Sequence, residues 1–167
     1  MDAPATPVDR LFGEFYEVLH NLTKPEQVSV SLAARDQFRK ALLLASASYF
    51  ENRLSEVVLS FVREETSGTQ MISSMVKIRV VDRQYHTWFD WKNLSANSFY
   101  AMFGEGFKSF MNAQVNSDSR LKEAVAAFLQ IGSERNRLVH QDFATFQLEK
   151  TMEEIYSAYQ KGLFFVD

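Results

Sequence analysis

At 167 residues, 46% of them hydrophobic and 23% charged, the chain matches one globular domain able to bury a core without disulfides. A formal charge of −3 argues against a broad, sequence-blind nucleic-acid binder, which needs a basic face, but leaves room for a small phosphate site. The lack of cysteine excludes thiolate catalysis, zinc ribbons and disulfide frameworks.

Residues 1–7, with Pro4 and Pro7, read as a flexible lead-in to a single domain over 8–167. They have neither the basic stretch nor the apolar run of a signal peptide. No segment reaches the roughly 20 apolar residues of a bilayer span. The expectation is a soluble cytoplasmic protein with no membrane contact. From Val8 to about Leu22, Leu11, Phe12, Phe15, Val18, Leu19 and Leu22 recur at three and four, the spacing of one helical face. Lys24-Pro25 is expected to end that helix, and Ser29 or Ser31 to cap the next. About 31–65 carries no glycine or proline and keeps a helical period through Leu42, Tyr49, Phe50, Leu54, Val57, Val58 and Phe61. Its length of about 50 Å predicts a kink near Ser46-Ala47-Ser48, and Thr66-Ser67-Gly68 stops it.

The stretch from Thr69 to Val81 fits a helix or, at its end, a strand; helix is favoured because no other segment offers a strand partner. Tyr85-His86-Thr87-Trp88-Phe89-Asp90-Trp91 is an aromatic cluster in irregular structure, suited to base stacking and equally to packing between helices. Ser95 to Ser98 is a cap region. The apolar face of Phe99, Met102, Phe103, Phe107, Phe110 and Met111 follows, broken at Gly104-Glu105-Gly106, a stretch too short for a phosphate loop. Ser117-Asp118-Ser119 caps a helix to about Gln141. A last helix spans about Thr145 to Leu163, with Leu148, Met152, Ile155, Tyr156 and Tyr159 inward. The fold class is therefore all-α, a single-domain bundle of five or six helices, with an aromatic-rich core supplied by fifteen phenylalanines.

The chemically informative segment lies at the end of the helix from Ser119 to Gln141. Its apolar stripe, Leu121, Val125 and Phe128, continues at the same period into Gly132, Arg135 and Val139. Gly132 costs up to about 1 kcal/mol of helix propensity against alanine, which predicts the close approach of another backbone. Arg135 puts a permanent charge where the pattern calls for a hydrophobe, and an inward guanidinium needs an anionic or polar partner. Asn136 and His140, four apart, share a face. Arg135 and His140 stand about 140° apart around the axis and flank one edge of the helix. Cleaving RNA through its own 2′-hydroxyl needs a base, an acid and positive charge on the phosphorane. One helix holds half of that set; two copies across a symmetric dimer hold all of it, without a metal. The plainer alternative pairs Arg135 with Glu134 or Asp142 and satisfies His140 at the helix end.

The segment Phe128 to Phe146, with Arg135-Asn136-Arg137-Leu138-Val139-His140 at its centre, resembles the helical HEPN superfamily, and most closely its MAE-type nucleases. Tyr49-Phe50-Glu51-Asn52-Arg53, Arg83 to Trp91, Phe103-Gly104 and Leu148 to Tyr156 also fit that branch. The resemblance implies a dimerising α-helical bundle acting as a metal-independent endoribonuclease in toxin–antitoxin or anti-phage defence systems. It implies that Arg135 polarises the scissile phosphate, His140 moves protons and Asn136 orients the pair; Arg137, in the same segment, is a candidate substrate-binding residue. No cofactor is implied. The partners implied are RNA, a second copy of the chain and an antitoxin or other defence protein. One branch of the superfamily carries a modifiable tyrosine two residues after the histidine; Asp142 stands there, which argues against that form of control.

Of the remaining candidates, His20 complements a helix C-terminus, and His86 reads as a core or interface histidine. The three histidines lack metal-ligand spacing. Arg35, Arg39 and Lys40 form either a solvated basic face or a groove guiding RNA.

Overall fold

The structure is a computed structural model that describes residues 5–22 and 27–167. The expected stop at Lys24-Pro25 and the first four residues lie outside that description. Among the described residues the secondary structure is helical, with no strand: α1 Pro7–Asn21, α2 Val28–Glu65, α3 Gln70–Val76, α4 Asn97–Ala101, α5 Glu105–Ser117, α6 Ser119–His140 and α7 Met152–Val166. Five of these are long and two, α3 and α4, are short.

Local chemistry sets the ends. Thr6 and Asp9 form a reciprocal capping box at the start of α1, with Pro7 as its first residue. Asp118 caps α6 through the N–H groups of Arg120 and Leu121. A second capping box, Thr151 with Glu154, starts α7. That box explains why α7 begins at Met152 and not near Thr145: the segment before it is extended, and it buries Phe146 and Leu148 outside any helix. α2 starts at Val28 behind Gln27, without a side-chain cap from Ser29 or Ser31. Its 38 residues run unbroken through the predicted kink, where the Ser46 hydroxyl donates to the Leu42 carbonyl at 2.8 Å. The ambiguous stretch is helical: α3 continues as a wider, π-helical turn over Lys77–Val81.

The core lies between α2, α6 and α7. Phe50, Phe128 and Tyr159 are among its largest buried side chains, and the Phe50 ring sits 5.4 Å from both Phe128 and Tyr159. α1 closes one side: Phe12 stacks on Tyr156 at 4.0 Å, and the Tyr159 hydroxyl donates to Thr6 Oγ1 at 2.8 Å. The expected inward face of α7 holds, with Met152, Ile155 and Tyr159 all buried. Of the apolar face expected beyond Asn97, Phe99 is buried and Phe103 and Met111 pack partly against the core, while Met102, Phe107 and Phe110 stay exposed.

Lys40 overturns the idea of a basic face on α2. Its side chain is 1% exposed; the ammonium pairs with Asp36 at 2.8 Å and donates to the Phe143 carbonyl at 3.0 Å. Arg39 donates to the Leu148 carbonyl at 2.9 Å and to Asp36. These two cations hold the extended segment after α6 against α2, and only Arg35 of the three is exposed. The paired cations pull the Asp36 carboxyl below the usual carboxylate range, Lys40 contributing most.

Candidate functional site

The end of α6 forms one wall of a cleft of ≈ 480 Å³, with Arg135, Asn136 and His140 all lining it. Arg135 is half-buried, and its Nη1 donates to Asn136 Oδ1 at 3.1 Å. Neither carboxylate suggested by the sequence takes the guanidinium. Glu134 pairs with Arg137 at 2.9 Å, and Asp142 accepts the N–H of Ala144 in a turn after the helix. Among the described residues Arg135 has no carboxylate partner within salt-bridge distance, and its side chain lines the cleft. The hydrogen bond along the helix from Asn136 to His140 is not made; Asn136 serves the arginine. His140 ends α6 and is exposed at the cleft mouth.

Arg137 lies elsewhere. It is exposed, paired with Glu134, and rests over the Phe146 ring at 5.7 Å; it does not line the cleft. The expected substrate-binding residue of the segment is therefore separated from the other three.

The rest of the lining comes from α2 and from the loop before α4. Glu51 projects from α2; Arg83, Tyr85 and His86 come from the loop. The loop is locked to α6 by Trp91. A Cβ on Gly132 would fall on the Trp91 ring, overlapping its Cζ3 and lying 2.6 Å from Cε3. The glycine thus makes room for an indole ring, and not for a backbone as its place in the helix suggests. Trp91 Nε1 in turn donates to the His86 carbonyl at 2.9 Å. Rings of Tyr85, Phe89 and Phe128 surround the indole at 5.0–5.9 Å, so this part of the aromatic run is packing. Gly132→Ala is expected to lower stability by about 1–3 kcal/mol, as an overpacked core does; a thermal midpoint equal to the wild type would contradict the contact.

Arg83 adopts a left-handed backbone, φ 63°, which a non-glycine residue rarely takes and which often marks functional loops. Burial, and then the charge of Glu51, push the Tyr85 phenol up, with Arg135 opposing them. The phenol therefore stays protonated near neutral pH and is not a base. Two guanidiniums, Arg83 and Arg135, and one carboxylate, Glu51, line the cleft, which makes it a local exception in a net-acidic chain.

Glu51, Arg83 and His86 were not legible as site residues. His86 is exposed in the cleft and is not a core histidine. The available signal was Arg83-x-x-His86 at the head of the aromatic run, but its apposition to α6 depends on Trp91 entering the Gly132 notch.

A family model described as RiboL-PSP-HEPN matches residues 9–167. Comparison with curated proteins and with solved structures finds no match. No described helix is long and apolar enough to cross a membrane.

Proposed function

This chain belongs to the RiboL-PSP-HEPN family, and on that footing we propose that it is a metal-independent endoribonuclease of a toxin–antitoxin or anti-phage defence system. Its likeness within the superfamily is, in our reading, to the MAE-type nucleases. The observation that carries the proposal is the Arg135 guanidinium, without a carboxylate partner among the described residues, steadied by Asn136 and sharing a cleft with His140. A cation kept half-buried without an internal counter-ion is suited to an external anion.

In the proposed reaction, Arg135 grips the non-bridging oxygens and stabilises the charge that builds on the phosphorane. Asn136 fixes the plane of the guanidinium fork. His140 transfers a proton as the 2′-oxygen attacks phosphorus and the 5′-oxygen leaves. The products are a 2′,3′-cyclic phosphate and a 5′-hydroxyl. We take the working form as a homodimer whose clefts share one RNA, with an antitoxin or other defence protein restraining it in the cytoplasm.

The test compares the wild type with Arg135→Gln on RNA in the presence of EDTA. The wild type is expected to cut and to leave cyclic phosphate ends. The variant is expected to lose about 10²–10³-fold, the usual cost of removing a donor from a developing oxyanion. Equal cleavage by both proteins, or by neither, rules the assignment out. RNA retained without cleavage by the wild type favours a binding module of the same family.

A further inference from the structure

We propose that His86 is a second proton-transfer residue of this cleft, giving each protomer its own pair of imidazoles. The inference rests on the endoribonuclease reading above. It changes one part of it: the second histidine comes from the same chain and not from another copy of His140.

Three observations support this. First, His86 and His140 line one cleft from two different elements, the loop before α4 and the end of α6, and both residues are exposed. Second, the His86 imidazole has no hydrogen-bond or ion-pair partner among the described residues, whereas its backbone is held tightly. Its carbonyl accepts from Trp91 Nε1 at 2.9 Å. The turn around it is closed by Thr87 N–H to the Gln84 carbonyl at 2.8 Å and Trp88 N–H to the Tyr85 carbonyl at 3.1 Å. A fixed main chain with an uncommitted imidazole is the condition a proton-transfer group requires. Third, the Trp91 ring that anchors His86 sits against Gly132, one turn before Arg135 on α6. The same contact therefore sets the position of the loop histidine relative to the guanidinium.

The titratable and charged groups that line the cleft with His86 are Glu51 from α2, Arg83 and Tyr85 from its own loop, and Arg135 and His140 from α6. Tyr85 stays a neutral phenol, as argued above, so the two imidazoles are the groups available to exchange protons near neutral pH. In the step, one neutral imidazole takes the 2′-hydroxyl proton as the O2′–P bond forms. The other, as imidazolium, gives its proton to the 5′-oxygen as the P–O5′ bond breaks. Arg83 and Arg135 hold the phosphate between them. Water resets the two protonation states after product release.

The experiment measures cleavage of a single-stranded RNA across pH by the wild type, His86→Gln and His140→Ala, with thermal melting of each protein. The wild type is expected to give a bell-shaped profile. His86→Gln is expected to lose about 10²–10⁴-fold in rate and one limb of the bell, with an unchanged melting midpoint. His86→Ala is expected to regain activity on adding imidazole, which a merely structural loop residue would not show. If His140→Ala is inactive while His86→Gln keeps both limbs and a rate within about ten-fold of the wild type, this inference fails and the endoribonuclease reading stands. If the wild type cuts no RNA, both fail.

Discussion

Replacing His140 with alanine is expected to slow RNA cleavage by about 10²–10⁴-fold, the range for a lost general acid or base. The melting temperature should hardly move. The imidazole is exposed at the last turn of α6 and makes no hydrogen bond or ion pair among the described residues, so its loss leaves no cavity and no orphaned partner. Surface changes of that kind stay within about 0.5 kcal/mol. Single-turnover cleavage and calorimetry on the same preparations separate the two effects. A fall in melting temperature that accounts for the lost activity would assign His140 to the fold and remove it from the chemistry.

The largest stability effect is expected at Lys40. Its side chain is almost wholly buried, yet it ends on two oxygens, the Asp36 carboxylate at 2.8 Å and the Phe143 carbonyl at 3.0 Å. Lys40→Ala removes the buried stem, leaves the Phe143 carbonyl without its donor and leaves Asp36 with Arg39 alone. A cost of about 2–5 kcal/mol follows, mainly from the cavity that the buried stem leaves. Lys40→Met keeps most of the volume and removes only the charge, so it should recover part of that loss. The acid limb tests the pairing independently. The pairing lowers the Asp36 carboxyl in the folded state, so its contribution is present above the unfolded value of about 3.9. It disappears as pH falls through the lower folded value. The stability gap between the wild type and Lys40→Met should therefore narrow below about pH 4. A gap independent of pH in denaturant titrations would show that packing alone explains Lys40. Because Lys40 and Arg39 hold the segment after α6, loss of Lys40 should also loosen the chain that follows His140 and reduce cleavage.

The helices were readable because their signals are local. α6 starts where Ser117-Asp118-Ser119 places it, and the long α2 follows from a run without glycine or proline. The half of the cleft made by Arg135, Asn136 and His140 is equally local, since three residues of one helix fall where 3.6 residues per turn puts them. Even the start of α7, assigned too early, had a readable sign in the Thr151–Glu154 box; the apolar residues Phe146 and Leu148 masked it by continuing a helical-looking pattern into an extended segment.

Burial and apposition are not local, and there only the tertiary structure decided. Lys40 reads as a surface cation because nothing in its neighbourhood reveals that the chain about a hundred residues later folds back to give it a carbonyl. Gly132 announces a close contact without saying that the contact is an indole. His86 becomes part of the cleft because Trp91, five residues on, fits the space left by that glycine. Periodicity reports which face of an element is apolar, whereas the partner of that face is chosen by shape complementarity between segments distant in sequence. The amino-acid order by itself determined the helical bundle and one wall of the cleft. Packing between distant segments determined the rest of its lining, and with it which charged groups share it.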